Sequence, residues 1–352
     1  MEPRLLPIGQ ATAEYLKQTW NKPCTLIEIT QIPGGASRET YRLKVDLDGE
    51  STGLILRRDP PSSLIDTERH HEFNTYRAVF QAGVMPVPEP LILEEDDQGL
   101  ERPFSIMREI SKGQASPAGL DDPSMDQFRE HLGQAKWSLL GHLASTPIDH
   151  MPGLTEFMAI PEHPEAENLA YWASVIREDS LHPQPIAEAA IRWLEKNLPA
   201  PSGLTCLTHG DYRTGNYLYT DTGEITGILD WEMAHISDPL EDLAWSLDPL
   251  WAPQPAIAGR LLPRRRAVDI WQAASGFEID AARFNWWQIF ASVKALAIWT
   301  SSNEDYVNGT TKEPILALAG WPLMDRQSRI LMDRLCGDGQ NQYAEPVLDL
   351  SS

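Results

Sequence analysis

Short runs of alternating apolar and polar residues fill the first third of the chain and predict β-strands. The clearest runs cover residues 26–32, 40–47 and 53–58 and are rich in β-branched and apolar side chains. Gly34-Gly35 separates the first two runs and Asp48-Gly49 the second two, and both pairs favour tight turns. The pattern therefore predicts an antiparallel sheet built from consecutive hairpins.

A helical pattern then interrupts the strands. Residues 66–82 carry apolar side chains at helical spacing among charged ones, and Gly83 follows as a terminator. Prolines next mark an extended connector before strand candidates at 91–94 and 104–110. Strands with one helix among them thus extend to about residue 110.

Beyond residue 120 the apolar spacing is close to that of an α-helix. The segments with this spacing are 125–145, 166–179 and 186–197. Two short apolar strands, 204–208 and 225–229, flank a loop rich in Gly, Asp and Asn. Helical spacing resumes after Pro239 and continues to about residue 335. The second part of the chain is therefore predicted to be mainly helical.

Length and composition fit a globular protein with two lobes. The chain has 352 residues, of which 42% are hydrophobic and 23% charged. Since a domain takes about 100–200 residues, this length predicts two units. We place them at 1–110 and 111–340, followed by a tail at 341–352.

The charge balance of the chain is strongly acidic. Its 29 Lys+Arg residues face 51 Asp+Glu residues, which gives a net charge of −22. Nucleic-acid binding depends on Lys and Arg that neutralise phosphates, and a surface of this sign repels phosphates. We therefore expect no nucleic-acid partner, while a cationic small molecule stays compatible with the charge.

Cysteines and apolar segments indicate the compartment. Cys24, Cys206 and Cys336 form no CxxC pair and are odd in number, which fits a reducing environment. The start, MEPRLLPIGQ, is too short and too acidic for a signal peptide. The most apolar late stretch, 290–299, is far shorter than the ~20 residues of a membrane span. We expect a cytoplasmic protein without a membrane segment.

The residues that can carry chemistry concentrate between residues 207 and 232. Asp211 and Asn216 have the Asp-x4-Asn spacing of a kinase catalytic loop. Asp230 follows across a predicted hairpin with its turn at 221–223, which brings a second carboxylate near Asn216. Phosphoryl transfer needs one carboxylate to orient the attacking hydroxyl and oxygen ligands for Mg²⁺. Either motif alone is more simply a turn or a helix start, but together they predict a kinase.

These motifs resemble those of the aminoglycoside phosphotransferase and choline kinase family. The matching segments are His209-Gly210-Asp211 with Asn216, Leu229-Asp230-Trp231-Glu232, and Asp238-Pro239 with Asp242-Leu243-Ala244-Trp245. The resemblance covers about residues 25–335. It implies an α+β, bilobal protein-kinase-like fold, with an antiparallel N-terminal sheet that carries one helix and a mainly helical C-terminal lobe.

The same resemblance implies roles for the loop residues. Asp211 is expected to be the catalytic base, and Asn216 and Asp230 are expected to bind Mg²⁺. His209 is expected to brace the loop, with Asp242 supporting it from the following helix.

Two arginines depart from the simplest members of the family. Arg213 could contact Asp230, a phosphate or the substrate. Arg57 stands on the third strand, where the family has a phosphate-pairing lysine, and arginine binds phosphate differently from lysine. Glu72 would pair with Arg57 as the corresponding kinase glutamate does. The alternative for Glu72 is a solvated position on the helix.

A phosphate-covering loop is predicted from its position between the first two strands. Gly34, Gly35 and Ser37 lie there, where glycines permit close backbone approach and a serine can donate to phosphate. Taken alone, a plain hairpin turn is the simpler interpretation of this segment.

The last N-terminal strand resembles the hinge of a kinase. The resemblance implies that Met107 is the gatekeeper and that the Arg108 carbonyl and Ile110 amide contact the nucleotide base. Backbone contacts leave little trace in sequence, so ATP and GTP are both open as phosphate donor.

Within the family, the chain most resembles kinase-like domains fused to, or encoded with, acyl-CoA dehydrogenases. The resemblance rests on Leu-Arg-Arg-x-Pro-Pro at 56–61, on the Gly-Val and Val-Pro pairs at 83–88, and on Arg213 within its loop. It implies a hydroxylated acyl acceptor, such as a hydroxyacyl-CoA, more than an aminoglycoside. This is analogy, because a fold does not fix a function.

Candidate acceptor residues lie in the helical part. An acidic pocket would suit an aminoglycoside. An aromatic or basic pocket would suit a CoA ester. The aromatic candidates, each of which could equally be a core residue, are Trp172, Trp245, Trp286 and Trp287. A basic run, Arg264-Arg265-Arg266, is either such a site or a solvated helix face.

Two other functions compete with a small-molecule kinase. A nucleotide-binding pseudokinase would lack Asp211, Asn216 or Asp230, and all three are present. A kinase acting on proteins would need room for an activation loop, which the stretch 230–242 does not give. The prediction is a Mg²⁺-dependent kinase that phosphorylates a small-molecule hydroxyl with ATP or GTP, and its oligomeric state stays open.

Overall fold

The first lobe is a five-stranded antiparallel sheet. The computed structural model describes residues 3–32, 39–59, 67–96, 99–252, 254, 256–310 and 314–336. The strands are β1 (Cys24–Ile32), β2 (Glu39–Leu47), β3 (Glu50–Arg58), β4 (Pro90–Glu94) and β5 (Phe104–Arg108). They lie in the order β1-β2-β3-β5-β4, so β5 pairs with β3 and β4 forms the edge of the sheet.

The sheet forms because alternate side chains of its strands point into one apolar layer. Leu54 and Leu56 on β3 are buried, and the residues next to them in the strand are more exposed. Leu43 on β2 stands opposite Leu54 in the register. These side chains belong to a separate small core that stabilises the first lobe.

Two helices, not one, accompany this sheet. They are α1 (Leu6–Trp20) and α2 (Thr67–Ala82). The prediction of a single helix missed α1, which begins with Pro7 in its first turn and buries Leu16 against the sheet. Gly9 permits this packing, because a Cβ there would lie 2.7 Å from the side chain of Leu26.

The second lobe is mainly helical, as predicted. Its helices are α3 (Arg129–Ser145), α4 (Pro164–Asp179), α5 (Pro185–Lys196), α6 (Leu240–Ser246), α7 (Arg264–Ser275), α8 (Ala281–Asn308), α9 (Pro314–Leu318) and α10 (Met324–Cys336). Short 3-10 turns occur at Pro3–Leu5, Pro117–Asp121, Pro123–Phe128, Ile148–His150, Leu154–Glu156 and Pro249–Trp251, and a π-helical turn at Ala319–Leu323. The 28-residue α8 is the central element, packed against α4, α5, α6 and α10.

Short antiparallel strand pairs position the loops of the second lobe. Their strands are β6 (Cys206–Thr208), β7 (Tyr217–Tyr219), β8 (Ile225–Ile228), β9 (His235–Ser237), β10 (Ile257–Ala258) and β11 (Leu262–Pro263). β7 and β8 form the hairpin predicted around 221–223. β6 pairs with β9, so the predicted loop of 209–216 begins where a buried strand ends. The β10–β11 pair interrupts the stretch that was predicted to be helical after Pro239.

Several predictions fall on segments beyond this description. Gly34, Gly35 and Ser37 lie outside the described residues, as does the tail at 341–352. Across the described ranges, no helix is both long and apolar enough to cross a bilayer.

Candidate functional site

Buried charged side chains on α6 and α8 hold the loop that follows β6 in place. Asp242 on α6 accepts the backbone N–H of His209 at 2.6 Å and that of Gly210 at 2.9 Å. Lys294 on α8 donates to the carbonyl oxygen of Gly210 at 2.8 Å. Glu241 accepts from the same Lys294 at 2.9 Å. The loop backbone is therefore fixed by helices that come later in the chain.

Gly210 is required by its backbone and its surroundings. Its φ is +81°, a left-handed conformation that L-residues with a Cβ rarely adopt. A Cβ at this position would also overlap the carbonyl oxygen of Met233. The absence of a side chain lets the loop lie directly against the segment that follows Asp230.

His209 is a neutral imidazole that links the two motifs. Its Nε2 lies 2.8 Å from the carbonyl oxygen of Leu229, which can only accept, so Nε2 carries the proton. Its Nδ1 accepts the N–H of Asp211 at 3.2 Å. Burial lowers the pKa of His209, which agrees with the neutral form. His209 thus joins the loop to the residue that precedes Asp230.

Asp211 is surrounded by hydrogen-bond donors. The Nε of Arg213 lies 3.0 Å from both carboxylate oxygens. The indole N–H of Trp245 donates to Oδ1 at 2.8 Å, and Nδ2 of Asn216 donates to Oδ2 at 2.7 Å. The structure therefore pairs Arg213 with Asp211 and not with Asp230, one of its expected contacts.

Asp230 lies beside Asn216 in an unusual backbone conformation. Its φ is +69°, and its N–H donates to the hydroxyl of Tyr76 at 2.8 Å. The preceding residue, Leu229, donates its N–H to the carbonyl oxygen of Asn216 at 2.8 Å. Burial, and then the charge of Glu72, raise the pKa of the Asp230 carboxyl. A cation at this position would relieve that accumulation of negative charge.

The oxygen donors of this site fit Mg²⁺. Asn216 directs its Nδ2 toward Asp211, which leaves its Oδ1 for a cation, and Asp230 supplies a carboxylate. Protein sites for Mg²⁺ often offer one or two such ligands and leave the rest to phosphates and water. In the part of the chain that the structure describes, no three His, Cys, Asp or Glu side chains are grouped so that they could hold a metal ion.

Arg57 and Glu72 form a buried ion pair between β3 and α2. Burial acts to lower the pKa of Arg57, but the charge of Glu72 and further acidic groups, including Asp230 and Glu232, outweighs it and raises that pKa. The pair predicted from the sequence is present, and its cation lies within electrostatic reach of Asp230.

The predicted hinge residues lie at the end of β5. Met107 is buried and pairs in register with Ile55 on β3. Arg108 donates its backbone N–H to the carbonyl oxygen of Glu89 at 2.9 Å and pairs through its side chain with the same residue. The side chain of Ile110 packs so closely on Gly227 that a Cβ there would overlap it. The hinge segment is thus anchored on both lobes.

A cleft of about 570 Å³ is bounded by α2, α4 and the segment after Asp230, and its lining residue Met233 lies against Gly210 of the loop. Its lining includes His71, Phe157, Glu167, Asn168, Tyr171, Trp172, Glu232 and His235. His235 donates from both ring nitrogens, to the Met233 carbonyl at 2.9 Å and to Glu241 at 3.0 Å, and is therefore an imidazolium. Burial opposes this charge, but Glu241 outweighs it and raises the pKa of His235.

The other acceptor candidates divide between core and surface. Trp286 and Trp287 are buried in the helical core, whereas Trp172 lines the cleft. The solvated-face interpretation of the arginine run is wrong for Arg264, which is buried and donates to Gln288 at 2.9 Å. The other two arginines are exposed and pair with Asp269 and Glu130.

Three contributors to the site were not assigned from the sequence. Trp245 was named as part of a family segment and as a pocket candidate, but its donation to Asp211 was not predicted. Lys294 is the one charged residue within the apolar stretch 290–299, a signal that could have marked it as buried and paired. Tyr76 lies within the predicted helix at 66–82, and no contact of its hydroxyl was predicted. All three act across long sequence distances, which spacing within one motif does not reveal.

Comparison with known proteins agrees with this geometry. Residues 28–283 match the phosphotransferase enzyme family. A mouse protein, acyl-CoA dehydrogenase family member 10, is 28% identical over 245 residues, 67% of this chain and 22% of the mouse protein. The rat acyl-CoA dehydrogenase family member 11 is 25% identical over 222 residues, 62% of this chain and 28% of that protein. The chain therefore matches only about a quarter of the length of these relatives.

Solved structures share the fold at low sequence identity. A protein of Ralstonia eutropha described as an aminoglycoside phosphotransferase superposes with a TM-score of 0.72 at 17% identity, over 92% of this chain and 97% of its own. The GDP and kanamycin complex of aminoglycoside phosphotransferase APH(2″)-IIIa gives 0.61 at 14% identity, over 90% and 98% of the two chains. A ternary complex of APH(4)-Ia with AMP-PNP and hygromycin B gives 0.56 at 16% identity, over 91% and 98%.

Fold and site together define a phosphotransferase with a bilobal, protein-kinase-like architecture, which confirms the predicted fold class. The match covers most of the chain, and the protein belongs to the phosphotransferase enzyme family. The resemblance stated from the sequence motifs, including that to proteins named after acyl-CoA dehydrogenases, is likewise confirmed.

Proposed function

We propose that this protein transfers the γ-phosphate of ATP or GTP to a hydroxyl group of a small molecule in a Mg²⁺-dependent reaction. The observation that carries the proposal is the convergence of Asp211, Asn216 and Asp230 at one end of the β7–β8 hairpin. The first lobe, about 1–110, would hold the nucleotide, and the second, about 111–340, the catalytic loop and the acceptor. A cytoplasmic location is part of the same proposal.

Asp211 is the proposed base. Its carboxylate is oriented by Trp245 and Asn216, so it can bind an acceptor hydroxyl in one direction and take its proton as the phosphoryl group arrives. No covalent intermediate with the protein is required, because positioning and electrostatics supply most of the rate in such transfers.

Asn216 and Asp230 would hold Mg²⁺, which when bound offsets the negative charge of the phosphates. Arg57 would contact the α- and β-phosphates, kept in place by Glu72. Gly34, Gly35 and Ser37 remain proposed phosphate contacts, and Met107, Arg108 and Ile110 remain proposed contacts of the base. Structural neighbours were solved with GDP and with AMP-PNP, which supports a nucleotide donor and leaves the choice between ATP and GTP to experiment.

The acceptor is proposed to enter the cleft beside the loop. Phe157, Tyr171 and Trp172 give this cleft apolar rings, and His235 gives it a fixed positive charge. The charge of His235 is balanced by Glu241, and Glu167 and Glu232 add carboxylates to the lining. Of the two acceptor classes considered, the aromatic rings, and not a positive charge, support a hydroxyacyl thioester over a polycationic aminoglycoside. The names of the relatives, acyl-CoA dehydrogenase family members 10 and 11, point in the same direction.

A pseudokinase is the competing function. It is disfavoured because Asp211, Asn216 and Asp230 are all present, Asn216 lies 2.7 Å from Asp211, and Arg57 pairs with Glu72. Only Arg57, which stands in place of the family's lysine, favours a pseudokinase.

The test is consumption of ATP and of GTP with Mg²⁺ across hydroxyacyl-CoA esters, aminoglycosides, macrolides and choline. Asp211→Ala should abolish phosphorylation of the true acceptor, a fall of roughly 10²–10⁴-fold, while nucleotide binding persists. Asp269→Ala, an exposed acid paired with Arg265 on α7, is the matched control and should retain full activity. Nucleotide binding without turnover on any acceptor would favour the pseudokinase, and no nucleotide binding would refute both functions.

A further inference from the structure

Arg213 covers both carboxylate oxygens of Asp211, one of which a base needs free to accept the proton of a hydroxyl. Its Nε lies 3.0 Å from Oδ1 and 3.0 Å from Oδ2, so one donor covers both oxygens at once. Trp245 takes a further position on Oδ1 and Asn216 one on Oδ2. A carboxylate offers about four lone-pair positions, and here protein donors meet all of them. An incoming hydroxyl therefore has to displace one of these contacts.

Of the three donors, Arg213 is the one that can leave. Trp245 is 2% exposed and Asn216 is 6% exposed, so both are fixed by their surroundings. The side chain of Arg213 is 29% exposed. Its second contact with the loop, from Nη1 to the carbonyl oxygen of Thr214, is long at 3.4 Å. The guanidinium also lies over the ring of Trp251 at 5.1 Å, a surface along which it can shift without losing its support.

We propose that Arg213 is a positioning residue that shields Asp211 until an acceptor is bound. This role rests on the proposed function. By covering Asp211, Arg213 suppresses hydrolysis of ATP or GTP when no acceptor is bound. A bound acceptor, held by its own contacts with the protein, can compete with Arg213 for the carboxylate, whereas a single water molecule lacks that binding energy.

The reaction that the shield suppresses is hydrolysis of the nucleotide. The oxygen of a water molecule forms a bond to the γ-phosphorus, and the bond from that phosphorus to the β,γ-bridging oxygen breaks. The nucleoside diphosphate leaves with the electron pair. The proton of the water passes to Asp211 and then to solvent, so the products are nucleoside diphosphate, inorganic phosphate and a proton.

The experiment measures inorganic phosphate released by the full chain from ATP or GTP with Mg²⁺ and without any acceptor. Arg213→Met should raise this rate roughly tenfold or more, the factor that one hydrogen bond to a charged group is worth. Arg213→Gln, neutral and too short to span both oxygens, should do the same. The double variant Asp211→Asn with Arg213→Met should lose the increase, because the freed base is its cause.

The matched control is Arg177→Met, which removes an exposed arginine that pairs with Glu188 at 3.0 Å and should leave the rate unchanged. A structural role alone would lower the rate, since damage to the loop does not create activity. An unchanged or lower rate in both single variants, with nucleotide binding intact by thermal shift, would overturn the inference. An increase that survives in the double variant would overturn it as well. If the unmodified chain binds no nucleotide, the proposed function itself fails.

Discussion

Trp245 donates its indole N–H to Oδ1 of Asp211 at 2.8 Å, although the two residues belong to different elements. Trp245 lies on α6, whose seven residues are all buried. The same helix carries Asp242, which accepts the backbone N–H groups of His209 and Gly210. One buried helix thus fixes both the backbone of the loop at 209–216 and the orientation of the Asp211 carboxylate.

Trp245→Phe should therefore impair turnover more than nucleotide binding. The substitution keeps most of the apolar volume but removes one donor to Asp211. A hydrogen bond to a charged group contributes about 1.5–3 kcal/mol, so kcat should fall roughly ten- to hundredfold if the contact orients the base. Steady-state kinetics on an acceptor from the screen would measure the fall, with KM for the nucleotide unchanged.

Trp286→Phe is the matched control for this prediction. Trp286 is also buried and also donates its indole N–H, but to the carbonyl oxygen of Leu194 at 3.1 Å in the helical core. Its loss should lower the free energy of unfolding and spare kcat. Equal losses of kcat in the two variants would mean that Trp245 acts only through general stability.

Tyr76 should control the affinity for Mg²⁺ through Asp230. Its hydroxyl accepts the N–H of Asp230 at 2.8 Å, and Asp230 holds a φ of +69°, which costs free energy and persists only where neighbours enforce it. Tyr76→Phe removes the acceptor and leaves this backbone unsupported. Since groups that orient a ligand typically contribute ten- to hundredfold in metal affinity, the Mg²⁺ concentration for half-maximal rate should rise by roughly that factor.

The measurement is a Mg²⁺ titration of the rate at saturating nucleotide. Tyr15→Phe removes a comparable hydroxyl, bonded to Glu94 at 2.7 Å on the far side of the first lobe, and should leave the titration unchanged. A Tyr76→Phe protein with an unshifted Mg²⁺ midpoint would argue against this link.

The sequence predicted the part of the site whose residues are close in the chain. Asp211, Asn216 and Asp230 lie on one loop and hairpin, so their spacing alone brings them together. The Arg57–Glu72 pair could also be predicted, because a strand and the following helix form one local unit. The catalytic roles of these residues remain predictions, whereas their proximity is observed.

The rest of the site depends on packing between distant segments. Lys294 reaches Gly210 from α8, and Trp245 reaches Asp211 from α6, contacts that no local pattern encodes. Helix α1 was missed for a different reason: its apolar stripe is short, and Pro7, Gly9 and Thr12 weaken the helical signal. Arg264 was misread because its carboxamide partner, Gln288, is on another helix.

The Arg57–Glu72 pair should contribute to the free energy of unfolding and to nucleotide affinity in ways that different variants can separate. Glu72→Met removes the main partner of a largely buried guanidinium and should lower the free energy of unfolding by about 2–3 kcal/mol. The double variant Arg57→Met with Glu72→Met should recover most of that loss, because buried apolar pairs often replace ion pairs without cost. Nucleotide affinity should stay low in the double variant, since the phosphate contact is gone.

Urea denaturation and nucleotide titration of the single and double variants would test this in one double-mutant cycle. Arg58→Met provides a control on the same strand, because Arg58 pairs with Glu39 at 2.9 Å and faces away from α2. Recovery of nucleotide affinity together with stability would show that Arg57 does not bind phosphate.

Lys136 should give the protein a pH-dependent stability in the alkaline range. Its side chain on α3 is fully buried, its Nζ lies over the ring of Trp137 at 4.7 Å, and among the described residues nothing accepts a hydrogen bond from it. Burial, and then the charge of Arg213, lower the pKa of Lys136 from 10.5 to about 7. Between these values the folded chain holds a neutral amine and the unfolded chain an ammonium. Unfolding therefore takes up a proton, and the free energy of unfolding rises with pH by up to about 1.4 kcal/mol per pH unit.

Lys136→Met should remove that slope and raise the stability at neutral pH, because an apolar side chain of similar length carries no cost of deprotonation. Urea denaturation at several pH values from 7 to 10 would measure both effects. Lys17→Met, at an exposed lysine that pairs with Glu14 on α1, should keep the slope of the unmodified chain. If the slopes of all three proteins coincide, Lys136 keeps the same charge in the folded and unfolded states across this pH range, and the assignment of a neutral amine is wrong.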